Sequence, residues 1–192
     1  MTIQDRAAAS YGLGELLAEM RRAAAATSDP RAIIKRLTAP LRRAAMDKSW
    51  LKPEHYRPAG ERGIGVTLLH EEPDHALAVY VVAWPPGSSV LPHDHQTWAL
   101  VAGVDGTETN VFWQRDDDGS VPGRCTVVES HRRSFGSGDV VAFLPDDIHS
   151  VQNDTDKVAL SIHIYGRNLN MTGRSEFDPA LGIVRPLTMS SD

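Results

Sequence analysis

The chain has 192 residues and a net charge of −5, with 41% apolar, 6% aromatic and 23% charged residues. That is enough apolar material for a single folded domain, and it excludes a disordered or fibrous chain. The acidic balance without a concentrated basic surface argues against a nucleic-acid binder, the absence of any apolar run near the roughly 20 residues that span a bilayer argues against a membrane protein, and a single cysteine, Cys125, forms no intramolecular disulfide and fits a reducing, cytoplasmic setting.

Composition shifts near residue 50: residues 1–50 hold twelve alanines, and the 142 that follow hold nine. Leu13, Leu16, Leu17 and Met20 recur at helical spacing, as do Ile33, Ile34, Leu37 and Leu41. The pattern predicts helices over 3–26 and 29–47, the second capped by Ser28 or Asp29 ahead of Pro30 and kinked at Pro40. Arg21, Arg22, Lys35, Arg36, Arg42 and Arg43 make this region basic and fit a solvated helix face better than an anionic partner site. After Trp50, short β-branched runs alternate with Gly, Pro and Asp turn signals. The predicted strands are Ile64–Leu69, Leu77–Trp84, Trp98–Val101, Thr107–Gln114, Cys125–Val128, Asp139–Leu144, His149–Gln152 and Val158–Tyr165. Arg115–Gly119 reads as a hairpin tip, and residues 170–192 as a tail draped on the sheets. The expected architecture is an all-β core over residues 51–192, closed or sandwiched, with residues 1–50 as a helical segment packed on it in one domain.

Two blocks carry chemistry. In the first, His93 and His95 stand two apart in a strand-like context, so alternation puts both imidazoles on one face and Asp94 on the other. Alone, such a pair reads more readily as a surface feature. In the second, Gly138 and Asp139 lead through Pro145 to His149, and Asn153 follows four residues later. Gly87, His93, His95 and Gly106 with Gly138, Asp139, Pro145, His149 and Asn153 resemble the two motif blocks of the cupin superfamily. That resemblance implies a double-stranded β-helix, or jelly-roll barrel, with a metal ion held by His93, His95 and His149. The acidic ligand that many cupins place three or four residues after H-x-H is absent, since Ala99 and Leu100 stand there, and Asp147 replaces a usual glycine. Three neutral imidazoles leave a divalent charge uncompensated, unlike the two-histidine, one-carboxylate triad.

Further on, strand alternation gives Ser161, His163 and Tyr165 one face and Ile162 and Ile164 the other. If that polar face turns inward, the three groups must hydrogen-bond to one another or lose about 1–3 kcal/mol each; an outward face on an edge strand is the alternative. Following a three-histidine cupin pattern, S-x-H-x-Y resembles the thiol dioxygenases, the family of cysteine dioxygenase and 3-mercaptopropionate dioxygenase, over roughly residues 60–175. The resemblance implies Fe(II) as cofactor, a small thiol and O2 as partners, a sulfinate product and Ser161, His163 and Tyr165 as an outer catalytic triad. Thr67 stands where cysteine dioxygenases carry their carboxylate-binding arginine; Arg174, nine residues beyond Tyr165, is the substitute candidate, with Arg167 second. Leu100 stands where some animal members carry a crosslinked cysteine, so no crosslink is expected, and a bacterial-type enzyme for a compact thiol carboxylate fits better. Cys125 reads as a buried small hydrophobe, and His55, His70, His75 and His131 as surface or hydrogen-bonded side chains. Other cupin dioxygenases, or a non-catalytic metal-binding cupin that senses a small ligand, also use three histidines.

Overall fold

The computed structural model describes residues 11–58 and 63–188. Two helices come first, α1 (Leu13–Ala26) and α2 (Pro30–Asp47). The predicted first eight residues of the N-terminal helix lie outside the described residues, and within them the helix begins at Leu13. Asp29 caps α2, its carboxylate accepting from the Arg31 amide at 3.1 Å, with Pro30 in the first turn where it gives up no hydrogen bond. α2 runs as one helix through Pro40 to Asp47.

Among the described residues ten strands follow: β1 (Gly65–Glu71), β2 (Ala78–Trp84), β3 (Ala99–Asp105), β4 (Glu108–Arg115), β5 (Val127–Phe135), β6 (Val140–Phe143), β7 (Ile148–Gln152), β8 (Ala159–Tyr165), β9 (Ser175–Asp178) and β10 (Ile183–Pro186). Their ladders are antiparallel and make a five-stranded sheet ordered β1-β2-β8-β3-β6, a three-stranded sheet ordered β5-β4-β7 and a hairpin of β9 and β10. This is the double-stranded β-helix expected from the two motif blocks.

The large sheet is covered on both faces, and for that reason β2, β3 and β8 read as unbroken apolar or buried runs. On the outer face Val79, Val81, Leu100, Ala102, Ile162 and Ile164 pack with Leu16, Met20, Leu37 and Leu41 of the helices. Each such aliphatic side chain, fully buried, contributes about 1.5–3 kcal/mol. On the inner face Tyr80, Ala99, Val101 and Tyr165 pack with Phe135 and Phe143. Residues alternate strictly between these two faces along β8, so Ser161, His163 and Tyr165 point into the barrel.

Motif residues outside the site hold the turns. Gly106 has φ +67°, and a Cβ there would lie 2.6 Å from the Val158 carbonyl; Gly138 has φ +80°. Asn153 is fully buried and donates to the Trp84 and Lys157 carbonyls, at 2.7 Å each, joining the second block to β2. Asp147, in the place of the usual glycine, accepts from the Leu144 amide at 2.7 Å and closes its own turn.

Two expectations need correction. The strand predicted at Cys125–Val128 starts at Val127 and runs on to Phe135, because β5 is an edge strand wet on both sides and Glu129, His131, Arg132 and Arg133 hide it from an apolar pattern. Its connection to β4 spans residues 116–126, and Asp117 organises that loop by accepting from Arg115, Gly119 and Thr126. The supposed C-terminal tail contains the β9–β10 hairpin, whose Glu176 and Phe177 are buried. Strands of four residues with few apolar positions leave little trace in sequence. No helix among the described residues is long and apolar enough to cross a membrane.

Candidate metal centre

His93, His95 and His149 converge: one ligand atom from each lies within 4.8 Å of the others, and among the described residues no acidic side chain belongs to the group. The pairing of chain segments brings them together. The His93 amide donates to the His149 carbonyl at 2.8 Å, and the His149 amide returns the bond at 3.0 Å, so the two blocks meet as one antiparallel bridge. The expected strand context of H-x-H is not observed. His93 sits in this isolated bridge, and the backbone then turns at Gln96, which has φ +52°. Asp94 is indeed directed away from the cluster, but it is buried and employed: its carboxylate accepts from the Ser175 amide at 2.8 Å and from Gln96 Nε2 at 2.9 Å.

The tautomers follow from the partners. His93 Nδ1 lies 3.0 Å from the Leu91 carbonyl, so that nitrogen carries the hydrogen and the lone pair is on Nε2. His149 Nδ1 lies 2.8 Å from Asn110 Oδ1 and is fixed in the same way. His149 Nε2 then faces His95 Nε2 at 3.3 Å. Two nitrogens each roughly 2.0–2.1 Å from a shared ion stand about 2.8–3.4 Å apart at octahedral to tetrahedral angles. The observed separation fits two ring nitrogens sharing a divalent cation, and His95 Nδ1, buried without a partner, does not fix its tautomer. Burial holds His95 and His149 well below the ordinary imidazole range, with the neighbouring histidines and Arg174 pushing the same way, so both are neutral as ligands must be.

Beside the cluster stands the row on β8. Ser161 Oγ is 2.9 Å from His163 Nε2, and His163 Nδ1 is 2.9 Å from Tyr165 Oη. The Tyr165 ring lies 5.3 Å from that of His95, centroid to centroid. Burial lowers His163 to about 3 and raises the Tyr165 phenol, so both are neutral near neutral pH. Sequence reasoning missed the other end of this row. Glu108 of β4 accepts from Ser161 Oγ at 2.8 Å and from Asn110 Nδ2 at 3.1 Å, and Trp84 Nε1 donates to Ser161 at 3.2 Å. Alternation along β4 places Glu108 and Asn110 on one inward face. Two polar residues two apart on a strand between the blocks were the available signal.

Arg174 is 6% exposed, and its Nε has no hydrogen-bond partner. Burial lowers its pKa, while Tyr165, Tyr80, Asp94 and Glu176 act in the opposite sense. It reaches this position because the next residue, Ser175, exchanges main-chain and carboxylate bonds with Asp94. Arg167 is exposed, and so is Thr67 on edge strand β1. Leu100 points into the helix-facing core, away from Tyr165. Cys125 is buried with Val127, Ile148 and Phe177, and burial raises its thiol. Trp98 packs in the helix-facing core rather than at a cavity rim. His55, His70, His75 and His131 lie outside the cluster; His70 meets Glu72, His75 meets Glu71, and His131 stacks on Phe112.

No protein-family profile matches the chain. Among solved structures it is similar to oxalate oxidase in complex with the substrate analogue glycolate, at 18% identity and TM-score 0.47, covering 61% of this chain and 56% of that one. It is also similar to a double-stranded β-helix protein from Klebsiella pneumoniae, at 12% identity and TM-score 0.44 over 68% of this chain and 97% of that one. A conserved barrel protein of the cupin 2 class from Salinispora arenicola matches at 19% identity and TM-score 0.42, over 60% of this chain and 86% of that one. At these identities and scores the likenesses carry nothing about chemistry, and the fold stands on the sheet topology itself.

His149→Ala removes a ligand and should abolish most metal binding, while Asn110→Ala, which frees the ligand's ring, should weaken it about 10–100-fold; metal titration of the purified variants, watched by calorimetry, checks both, and wild-type affinity in His149→Ala refutes the ligand set. The metal-free protein should lose stability on acidification. The folded pKa values of His95, His149 and His163 lie below the unfolded value near 6.5, so the unfolded chain binds more protons below that pH. Their contribution is complete above about pH 6.5 and falls by about 1.4 kcal/mol per imidazole per pH unit, for His163 down to about 3. Denaturant unfolding between pH 7.5 and about 5 measures it, and a flat profile contradicts the buried neutral state.

Proposed function

We propose that the protein is an iron-dependent thiol dioxygenase that converts a small thiol carboxylate to its sulfinate, R–SH + O2 → R–SO2H. The observation that carries this is the pairing of a carboxylate-free cluster, His93, His95 and His149, with the buried row Ser161–His163–Tyr165 beside it. An ion held only by neutral imidazoles retains its full positive charge, which a thiolate offsets, and sulfur is a soft donor suited to such a centre. A ferrous ion at this centre would supply the activation of O2.

The chain's own residues do the rest. Arg174 offers a buried guanidinium with an unengaged Nε, fit to grip a substrate carboxylate by charge-assisted bonds. Tyr165 feels that guanidinium and lies with its ring 5.3 Å from that of His95, and His163 holds its phenol oriented. Burial keeps water away and keeps each of these hydrogen bonds strong. The compact thiol carboxylate, 3-mercaptopropionate or cysteine-like, follows from one cationic anchor near one metal site. A metal-binding cupin that senses a small anion would use the same Arg174 and the same histidines but would have no need of the Tyr165 row.

Oxygen uptake by the iron-loaded protein against a panel of small thiols, with sulfinate detected by mass spectrometry, tests the proposal. Uptake with a matching sulfinate is expected for a thiol carboxylate, and uptake on no thiol contradicts it. Arg174→Ala should raise KM for that substrate about 10–150-fold, the equivalent of one lost charged hydrogen bond or pair. Tyr165→Phe should retain iron and lower kcat about tenfold or more.

A further inference from the structure

Glu108 belongs to neither motif block. It is 3% exposed, and the structure gives each of its carboxylate oxygens one partner: Asn110 Nδ2 on Oε1 at 3.1 Å and Ser161 Oγ on Oε2 at 2.8 Å. Both contacts have a direction, and the directions propagate. His149 donates from Nδ1 to Asn110 Oδ1, so Asn110 must turn its amide nitrogen to Glu108. Ser161 has three neighbours and only one hydrogen. The Trp84 indole, at 3.2 Å, is a donor only. Burial raises the Glu108 pKa while its bonds from Ser161 and Asn110 lower it, and where the carboxylate is ionised it is an acceptor only, so the serine hydrogen goes to Glu108 and the remaining oxygen lone pair must accept from His163.

A neutral His163 that donates from Nε2 has an acceptor at Nδ1, and its partner there, at 2.9 Å, is Tyr165 Oη. The phenol hydrogen is thereby turned away from the metal side. We propose that Glu108 is the positioning residue that sets the direction of the Ser161–His163–Tyr165 row, so that Tyr165 presents an acceptor oxygen rather than a donor O–H to the metal centre. The same carboxyl group aligns His149 through Asn110, so one buried side chain orients both a metal ligand and the outer row. Under the thiol reading, on which this consequence rests, Tyr165 meets the substrate as an acceptor for the S–H hydrogen.

Replacing the carboxylate by an amide reverses the row. In Glu108→Gln the amide oxygen must face Asn110 Nδ2, and the amide nitrogen then donates to Ser161. The serine hydrogen turns to His163 Nε2, the ring proton moves to Nδ1, and Tyr165 O–H is released toward the metal side. The full-length protein, loaded with zinc and carrying 15N-labelled histidine, is examined by long-range 1H–15N correlation at about pH 8, above the ordinary carboxyl and imidazole ranges. Wild type should show His163 protonated on Nε2, and Glu108→Gln should show it protonated on Nδ1. A wild-type ring protonated on Nδ1 overturns the proposal, as does a tautomer unchanged in the variant. The wild-type spectrum alone decides the direction, so misfolding of the variant does not shield the assignment. No substrate is added, so a failed thiol assay and a failed tautomer measurement are separate results.

Discussion

A buried imidazole stays neutral because charging it would strip a cation of its water with nothing to replace it. That desolvation cost, acting on His95, His149 and His163 together, governs this structure. Neutral rings cannot repel an incoming metal ion, and their lone pairs have little to do inside an apolar barrel until an ion arrives. The absence of an acidic group from the cluster then leaves the ion's charge unbalanced by protein. The compensating anion has to come from what binds, and Arg174, a buried cation with an unpartnered Nε that acts electrostatically on His95, His149 and Tyr165, supplies an anchor for it.

Buried polar groups of this kind survive only if their hydrogen bonds close. For Glu108, Asn110, His149, Ser161, His163 and Tyr165 they close across the barrel, while His95 Nδ1 and Arg174 Nε stay without a partner. β8 of the large sheet contributes Ser161, His163 and Tyr165, β4 of the small sheet contributes Glu108 and Asn110, and β7 contributes His149. The network is continuous from a metal ligand to the phenol beside it, so the geometry of the centre is tied to the pairing of both sheets. The hairpin of β9 and β10 enters the same construction through Asp94, which couples the H-x-H segment to the residue following Arg174.

The barrel was legible because turn glycines, motif spacing and alternation all pointed to it. Gly106 and Gly138 occupy positive-φ turns that other residues resist, and the Ile162–Ile164 alternation marks which face of β8 meets the helices. The three histidines could be collected only through the resemblance to the two cupin blocks, and even that left out the reason they meet: the His93–His149 bridge is long-range pairing. Glu108 stayed hidden because a single carboxylate on a strand looks solvent-facing until the opposing sheet covers it. The β9–β10 hairpin and the full length of β5 were hidden because polar edge strands leave no apolar rhythm.

X-ray absorption at the iron edge of the loaded protein bears most directly on the carboxylate-free centre. The account predicts a first shell containing three imidazole nitrogens and no protein carboxylate, with a sulfur scatterer appearing when a thiol carboxylate is added. A carboxylate oxygen from Asp94 or Glu108 in that shell, or fewer than three imidazoles, would contradict it.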